Sequence, residues 1–243
     1  MKIVITAGGT SERIDNVRKI TNSSSGKLGM TIANAILDKH RKELDTLYYI
    51  CAKDSLRPKN EKVKIVEITG TLDLEREVKK LLTSETIDYF IHSMAVSDYM
   101  VSYVSTASLL AETIQTSDNP NLAEVIKNNK NVVGGTKISS YEDNLLIMLK
   151  PTPKIIALVK DLSPQTFLVG FKLLDGTTDN ELIEVATKLL QKNRCNLVVA
   201  NDLANIRSGN HKAFIIDGHG DKVIANGKED IAEKLAERLF END

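Results

Sequence analysis

What most constrains this chain is the recurrence of short β-rich runs: KIVIT (2–6), TLYYICA (46–52), VKIVEI (63–68), YFIHSMAV (89–96), TFLVGF (166–171) and NLVVAN (196–201). Several are unbroken apolar runs, the pattern of strands covered on both faces. Between them lie segments of helical period. Leu28, Ile32, Ala35 and Ile36 mark one, Leu72, Val78, Leu81 and Leu82 another, a third runs from Glu181 to about Lys192, and a last from Glu229 to Phe240. Strand and helix in alternation predict an α/β fold, a doubly wound, mostly parallel Rossmann-like sheet. The late pair AFIID and KVIA, around Gly-rich turn residues, predicts a C-terminal β-hairpin extending that sheet. A chain of 243 residues, 42% hydrophobic and 27% charged, can bury one sizeable core, and a single domain over 1–243 is expected. Residues 99–135 break the rhythm: they are polar, with Pro120 and the Gly134-Gly135 pair. Such insertions are functional loops or partly ordered surface segments; a flexible flap beside the site is expected.

Several function classes fall away. With 32 basic and 33 acidic residues the net charge is −1, without the basic surface that nucleic acid demands. The apolar run opening MKIVITAGGT is too short for a signal peptide or spanning helix, so a cytoplasmic protein with no membrane partner is expected. Cys51 and Cys195 sit inside strand-like runs and suit reduced, buried thiols. His40, His92, His211 and His219 lack ligand spacing, so no protein-built metal site is expected; His92 reads as a satisfied sheet residue.

In α/β sheets ligands bind beyond the carboxyl ends of the strands. After the first run come Gly8, Gly9 and Thr10, which fit either close backbone approach to an anion or a tight strand-exit turn. No G-x-G-x-x-G can be laid on them. Ser23, Ser24 and Ser25 precede Gly26 and Lys27 where a helix starts, placing hydroxyls, free N–H groups and a positive dipole end together. A P-loop fails on spacing, since Thr21 stands where a glycine is needed and Leu28 where a hydroxyl is needed. One serine could be an N-cap; three, with Asn22 and Arg18 nearby, suit a phosphate. Asp98 could hold a ribose, base or metal, or cap a turn. Lys150 and Lys154 flank Pro151 and Pro153, and Phe171 after Gly170 suits stacking on a base. Asn201 and Asp202 end the last parallel run.

Taken in order, ITAGGT, DNVRKITNSSSGKLG, AVSDY, KIS, PK, VGFKL and VAND resemble phosphopantothenoylcysteine synthetase, the ligase joining 4′-phosphopantothenate to L-cysteine in coenzyme A biosynthesis. The resemblance runs to about residue 203, and Asp15 to Gly29 is its most specific part. It implies the stand-alone bacterial type without flavin. It also implies a nucleoside triphosphate co-substrate, with CTP favoured over ATP, Mg²⁺ travelling with it, and a homodimer. The substrate carboxylate would attack the α-phosphorus, and cysteine's amine would then displace the nucleotide. By this resemblance Asn22 contacts the acyl-nucleotide, Arg18 supports the phosphopantothenate pocket, and Ser23, Ser24, Ser25, Gly26 and Lys27 line the phosphate region. Gly8, Gly9, Thr10, Asp98, Phe171 and Asn201 form the nucleotide side, with Lys188 and Lys192 gripping the triphosphate and Lys150 catalytic. Two features depart from the family pattern. Lys150 stands three residues before Pro153 instead of two, so Lys154 competes with it, and FKLLD is nearer the ATP-using eukaryotic form. An NAD(P)-dependent oxidoreductase or epimerase would share the strand and GG turn, but it is disfavoured by the missing glycine fingerprint. A non-catalytic nucleotide-binding module would not explain polar groups at four further strand ends.

Overall fold

The computed structural model describes residues 1–133 and 137–240. Strand β1 (Lys2–Ala7) lies inside the sheet, flanked in parallel by β4 (Thr46–Ala52) and β6 (Tyr89–His92). Outward from these, β5 (Val63–Ile68), β9 (Phe167–Leu174) and β10 (Leu197–Asp202) also pair in parallel. The order β5-β4-β1-β6-β9-β10 is that of the dinucleotide-binding fold, with its topological switch between β1 and β6. Strands β11 (Lys212–Asp217) and β12 (Lys222–Asn226) add antiparallel, completing eight strands. The sheet is therefore doubly wound and mostly parallel, with the expected C-terminal hairpin.

Alternation along β1 explains why its sequence reads as continuously apolar. Ile3, Ile5 and Ala7 pack under α1 (Lys27–Lys39) and α8 (Gly227–Phe240). Val4 packs on the opposite face, in the core shared with α2 (Thr71–Ser84), α5 (Ile155–Leu162) and α6 (Asp179–Asn193). Both sides are covered, so neither register position needs to be polar. Cys51 and Cys195 are free and buried, one in each core. His92 is buried with Nδ1 2.8 Å from Thr6 Oγ1, and burial pushes its imidazole down to about 4.

Two insertions depart from the expected pattern. The β1–α1 connection holds a small hairpin, β2 (Ser11–Arg13) with β3 (Lys19–Thr21). The segment expected to be irregular carries regular structure over 99–133. There β7 (Tyr99–Thr106) leads into α3 (Ala107–Gln115) and α4 (Leu122–Lys127), and β7 pairs with β8 (Leu145–Pro151) in an antiparallel ribbon outside the main sheet. Thr106 caps α3 through Leu109 N–H, and buried Asn129 ties the turn after α4 to Asn131 and Thr113. These polar anchors explain why weak apolar periodicity still folds: hydrogen bonds supply what a hydrophobic stripe does not. Gly134 and Gly135 lie outside the described residues. The run expected to be strand to residue 96 stops at His92, and a short helix, α7 (Leu203–Arg207), follows β10.

Candidate functional site

The carboxyl edge of the sheet is built by loops that tie to one another. Gly9 bridges Ala95, Ala95 N–H donates to Gly8 O at 2.8 Å, and Thr10 N–H to Ala95 O at 3.1 Å. This closes the gap between β1 and β6. Thr10 is fully buried and its hydroxyl accepts from Ser97 N–H, so its side chain positions the post-β6 loop. The paired glycines are demanded by packing. A Cβ on Gly8 would meet Ser55 Oγ at 2.0 Å, and one on Gly9 would meet the Asn22 carbonyl oxygen at 1.7 Å. The tight-turn reading thus accounts for both, with Gly9 also reaching the site surface.

The β2–β3 hairpin brings Asn22 back beside Gly9, and Asn22 N–H donates to Thr10 O at 3.1 Å. Helix α1 begins with Gly26 at its N-cap, in left-handed backbone conformation at φ 73° and with no side-chain cap. None of the three serines serves as its N-cap. Ser24 and Ser25 Oγ stand 3.4 Å from Gly26 and Lys27 N–H, and the serines stay exposed. Gly29 lets the first turn press on β1, where a Cβ would meet Ala7 Cβ at 2.6 Å. Gly26 and Gly29 keep the G-x-x-G half of a dinucleotide fingerprint, but the hairpin separates it from Gly8 and hides it in the sequence.

Beside this helix start opens a cleft of about 270 Å³. Its wall from the β1–α1 connection is Gly9, Ser11, Thr21, Asn22, Ser23 and Ser24. Facing them are Lys53, Asp54 and Ser55 after β4 and Thr69 after β5, with Lys19 on the hairpin. The residues after β4 and β5, and Lys19, were missed by sequence reasoning, because AKDS and ITG read as ordinary strand exits. Ser25, Gly26 and Lys27 are not among the cleft's lining residues; they hold the helix start that adjoins it.

Arg18 does not line the cleft. Its guanidinium clasps Asp15 Oδ2 through Nε at 3.0 Å and Nη2 at 2.6 Å, and Nη2 also donates to Ile138 O at 2.9 Å. Asp15 accepts further from Val17, Arg18 and Ile138 N–H. The Arg18 guanidinium, then these backbone donors, hold the Asp15 carboxyl well below the usual carboxylate range. The Asp15 to Arg18 turn is thus locked to the chain before β8, joining two segments of the site rim.

Across the sheet, Asp98 is exposed and ion-paired with Lys154 Nζ at 2.5 Å, while Thr152 binds Ser97 O and Asp98 O. Lys150 is exposed on β8 opposite Met100. Phe171 sits half-buried on the α1–α8 side. In register, Phe171 opposes Val199 and Leu173 opposes Asn201, so Phe171 and Asn201 share the face from which the serine-bearing helix rises. Buried Asn201 Oδ1 and both ring nitrogens of His211, two residues before its partner Ala213, have no hydrogen-bond partner among the described residues. Asp202, by contrast, accepts from Thr177 and Asn205 N–H and caps α7.

Lys188 and Lys192 are not brought to either group. Helix α6 packs on the opposite face and descends from the carboxyl edge, so Lys188 lies about 13 Å below its start, from roughly 1.5 Å per residue. It pairs with Glu184, and Lys192 occupies the last turn at the far end. Among the described residues, no group of three or more His, Cys, Asp or Glu side chains is placed to hold a metal, and no helix is long and apolar enough to cross a membrane.

The family model for the DNA/pantothenate metabolism flavoprotein C-terminal domain matches residues 1–134 and 128–242. The Coenzyme A biosynthesis bifunctional protein CoaBC of Thermococcus kodakarensis is 31% identical over 98% of this chain, which spans about half the length of that relative. A crystal structure of the DNA/Pantothenate Metabolism Flavoprotein from Streptococcus pneumoniae superposes with a TM-score of 0.84 at 38% identity, covering all of both chains. Cab2 with an H337A substitution, solved in complex with phosphopantothenate-cysteine, shares the fold at a TM-score of 0.65 and 20% identity, over 99% of this chain and 85% of its own. The chain therefore belongs to the DNA/pantothenate metabolism flavoprotein C-terminal domain family.

Proposed function

We propose that this protein is a phosphopantothenate–cysteine ligase that activates its acid substrate with a nucleoside triphosphate. The observation that carries the reading is the open cleft where Asn22, Ser23 and Ser24 meet the start of α1, within a chain of this family. A carboxylate acylates poorly because its oxygen leaves poorly. Its attack on the α-phosphorus of a nucleotide releases pyrophosphate and makes a mixed anhydride, which cysteine's amine opens with loss of the nucleoside monophosphate. Such chemistry needs two anions held together and the pentavalent phosphorus stabilised by oriented donors; it needs no protein nucleophile. An uncapped helix start with exposed serines supplies donors of that kind, and Asn22 can bond the acyl-phosphate oxygens.

Asp98, Phe171 and Asn201 would hold the nucleoside, with the open Asn201 Oδ1 able to accept from it, and Lys150 would face the reacting phosphoryl group. Asp98, exposed and ion-paired with Lys154, is a carboxylate of the kind that suits Mg²⁺ carried mainly by phosphate oxygens and water. CTP remains the favoured nucleotide over ATP. A homodimer in the cytoplasm completes the reading, with the ribbon's exposed Tyr99, Ile147 and Leu149 as its contact surface.

The test is to incubate the protein with CTP or ATP, phosphopantothenate and cysteine, following pyrophosphate and amide. Pyrophosphate release that requires phosphopantothenate is expected. Its absence with both nucleotides would reject the ligase.

A further inference from the structure

Strands β2 and β3 are three residues each, SER and KIT, and carry one aliphatic side chain between them. A two-stranded ribbon of that size is marginal by itself in water. Yet this one forms part of the cleft wall and delivers Asn22, the residue that follows it, to the approach of α1. Something outside the ribbon must hold it.

Pairing of Ser11 with Thr21 and of Arg13 with Lys19 gives the ribbon a cleft face, since Ser11, Thr21 and Lys19 are among the lining residues. Glu12 lies between Ser11 and Arg13, so the pleat turns it to the other face. There it is only 6% exposed. Its Oε1 accepts from Thr71 N–H at 2.8 Å and from Thr71 Oγ1 at 2.7 Å. Thr71 opens α2 behind Gly70, which has no side chain to offer as a cap, so Glu12 satisfies a free N–H of that helix from a distant segment. An acidic group there is favoured by the helix dipole as well. The fit is close, because a Cβ on Gly70 would come 3.2 Å from both Glu12 Oε2 and Ser11 O.

Backbone bonds continue the connection at either end of the ribbon. Ser11 N–H donates to Thr69 O at 2.8 Å, just before α2, and Asn22 N–H donates to Thr10 O at 3.1 Å. A line of contacts thus runs from the start of α2 through Glu12 and the ribbon to Asn22. We propose that Glu12 is a positioning residue for the ligase: fastened to the start of α2, it fixes the ribbon so that Asn22 meets the acyl-nucleotide. The assignment rests on the ligase reading above, and it extends that reading to a buried side chain that is not among the cleft's lining residues.

The test follows amide and pyrophosphate together in Glu12→Ala, Glu12→Gln and Thr71→Val. Removing both bonds lets Asn22 drift, and a shift of about 1 Å at a reacting centre costs roughly a hundredfold. Amide formed per pyrophosphate released should fall by about that factor in Glu12→Ala, as an activated acid that Asn22 no longer holds is trapped or lost. Loss of folded protein alone lowers both products in step. Glu12→Gln keeps an acceptor oxygen for both donors and should restore the ratio. Thr71→Val deletes one donor without emptying the site, so its ratio should fall about tenfold, and it decides the matter should Glu12→Ala fail to fold. A ratio equal to that of the unaltered protein in Thr71→Val and in folded Glu12→Ala overturns the proposal and leaves the ligase in place. Amide hydrogen exchange reads the anchor without turnover: Asn22 N–H should exchange about tenfold faster in these two variants while the β1 amides keep their protection. Should the unaltered protein make no amide, the ligase fails, and exchange still decides the anchor: unchanged protection of Asn22 overturns it.

Discussion

Replacing Gly9 by alanine separates two explanations for the paired glycines after β1. In the structure the added methyl would sit 1.7 Å from the Asn22 carbonyl oxygen and 3.5 Å from Ser24 N. Ordinary van der Waals contact needs about twice the first distance. The obstacle is backbone, held by Asn22 N–H on Thr10 O, so no rotamer change relieves it. Overpacking of this kind costs about 1–3 kcal/mol, and the rigid partner places it near the top. For a chain of this size about 3 kcal/mol lowers Tm by roughly 6–12 °C. Gly218→Ala is the control, because nothing lies within 4 Å of its added methyl and its φ is not left-handed. Differential scanning calorimetry of both variants without ligand decides the matter. Equal melting temperatures would refute the packing argument and leave close approach to a bound anion as the reason for the glycine.

Asn22→Ala should leave the melting temperature nearly unchanged yet abolish steady amide formation, with pyrophosphate release and amide yield measured in parallel; unaltered yield removes Asn22 from the chemistry. Lys150→Ala should lower kcat by about a hundredfold if it meets the reacting phosphoryl group, whereas Lys154→Ala should act on nucleotide KM through Asp98, and the reverse pattern in single-turnover rates would exchange their roles. The Asp15 carboxyl is depressed in the folded state, so its contribution is full above the unfolded value near 3.9 and fades as pH falls below it. Asp15→Asn should therefore destabilise at pH 7 and converge with the unaltered protein in acid, read by urea unfolding across pH. His92 behaves in the opposite chemical sense: burial lowers it to about 4. The unfolded chain thus takes up the proton first, and stability drops by about 3 kcal/mol between pH 6.5 and 4. That drop should be absent in His92→Gln.

The site was legible to the extent that it lies within one continuous stretch. Asn22, Ser23 and Ser24 were readable because a hydroxyl run before a helix start has few other uses. Lys19, Lys53, Asp54 and Thr69 were not, since nothing local distinguishes a lysine lining a cleft from a solvated one. For Thr10 the sequence hides the converse: its hydroxyl is engaged by Ser97, distant in sequence. Lys188 and Lys192 were placed by motif order, and only the fold shows that they lie well along α6, Lys192 in its last turn.

The sequence alone determined the eight-strand α/β sheet and its closing hairpin, because burial on both faces leaves an apolar signature that survives in one dimension. It did not reveal the β7–β8 ribbon, whose half-exposed strands pair across the whole α3–α4 insertion, nor the glycine pattern divided by the β2–β3 hairpin. Those were decided by tertiary structure, since they depend on which loops face one another at the end of the sheet. Periodicity records how a residue is buried and carries no information about what stands opposite it.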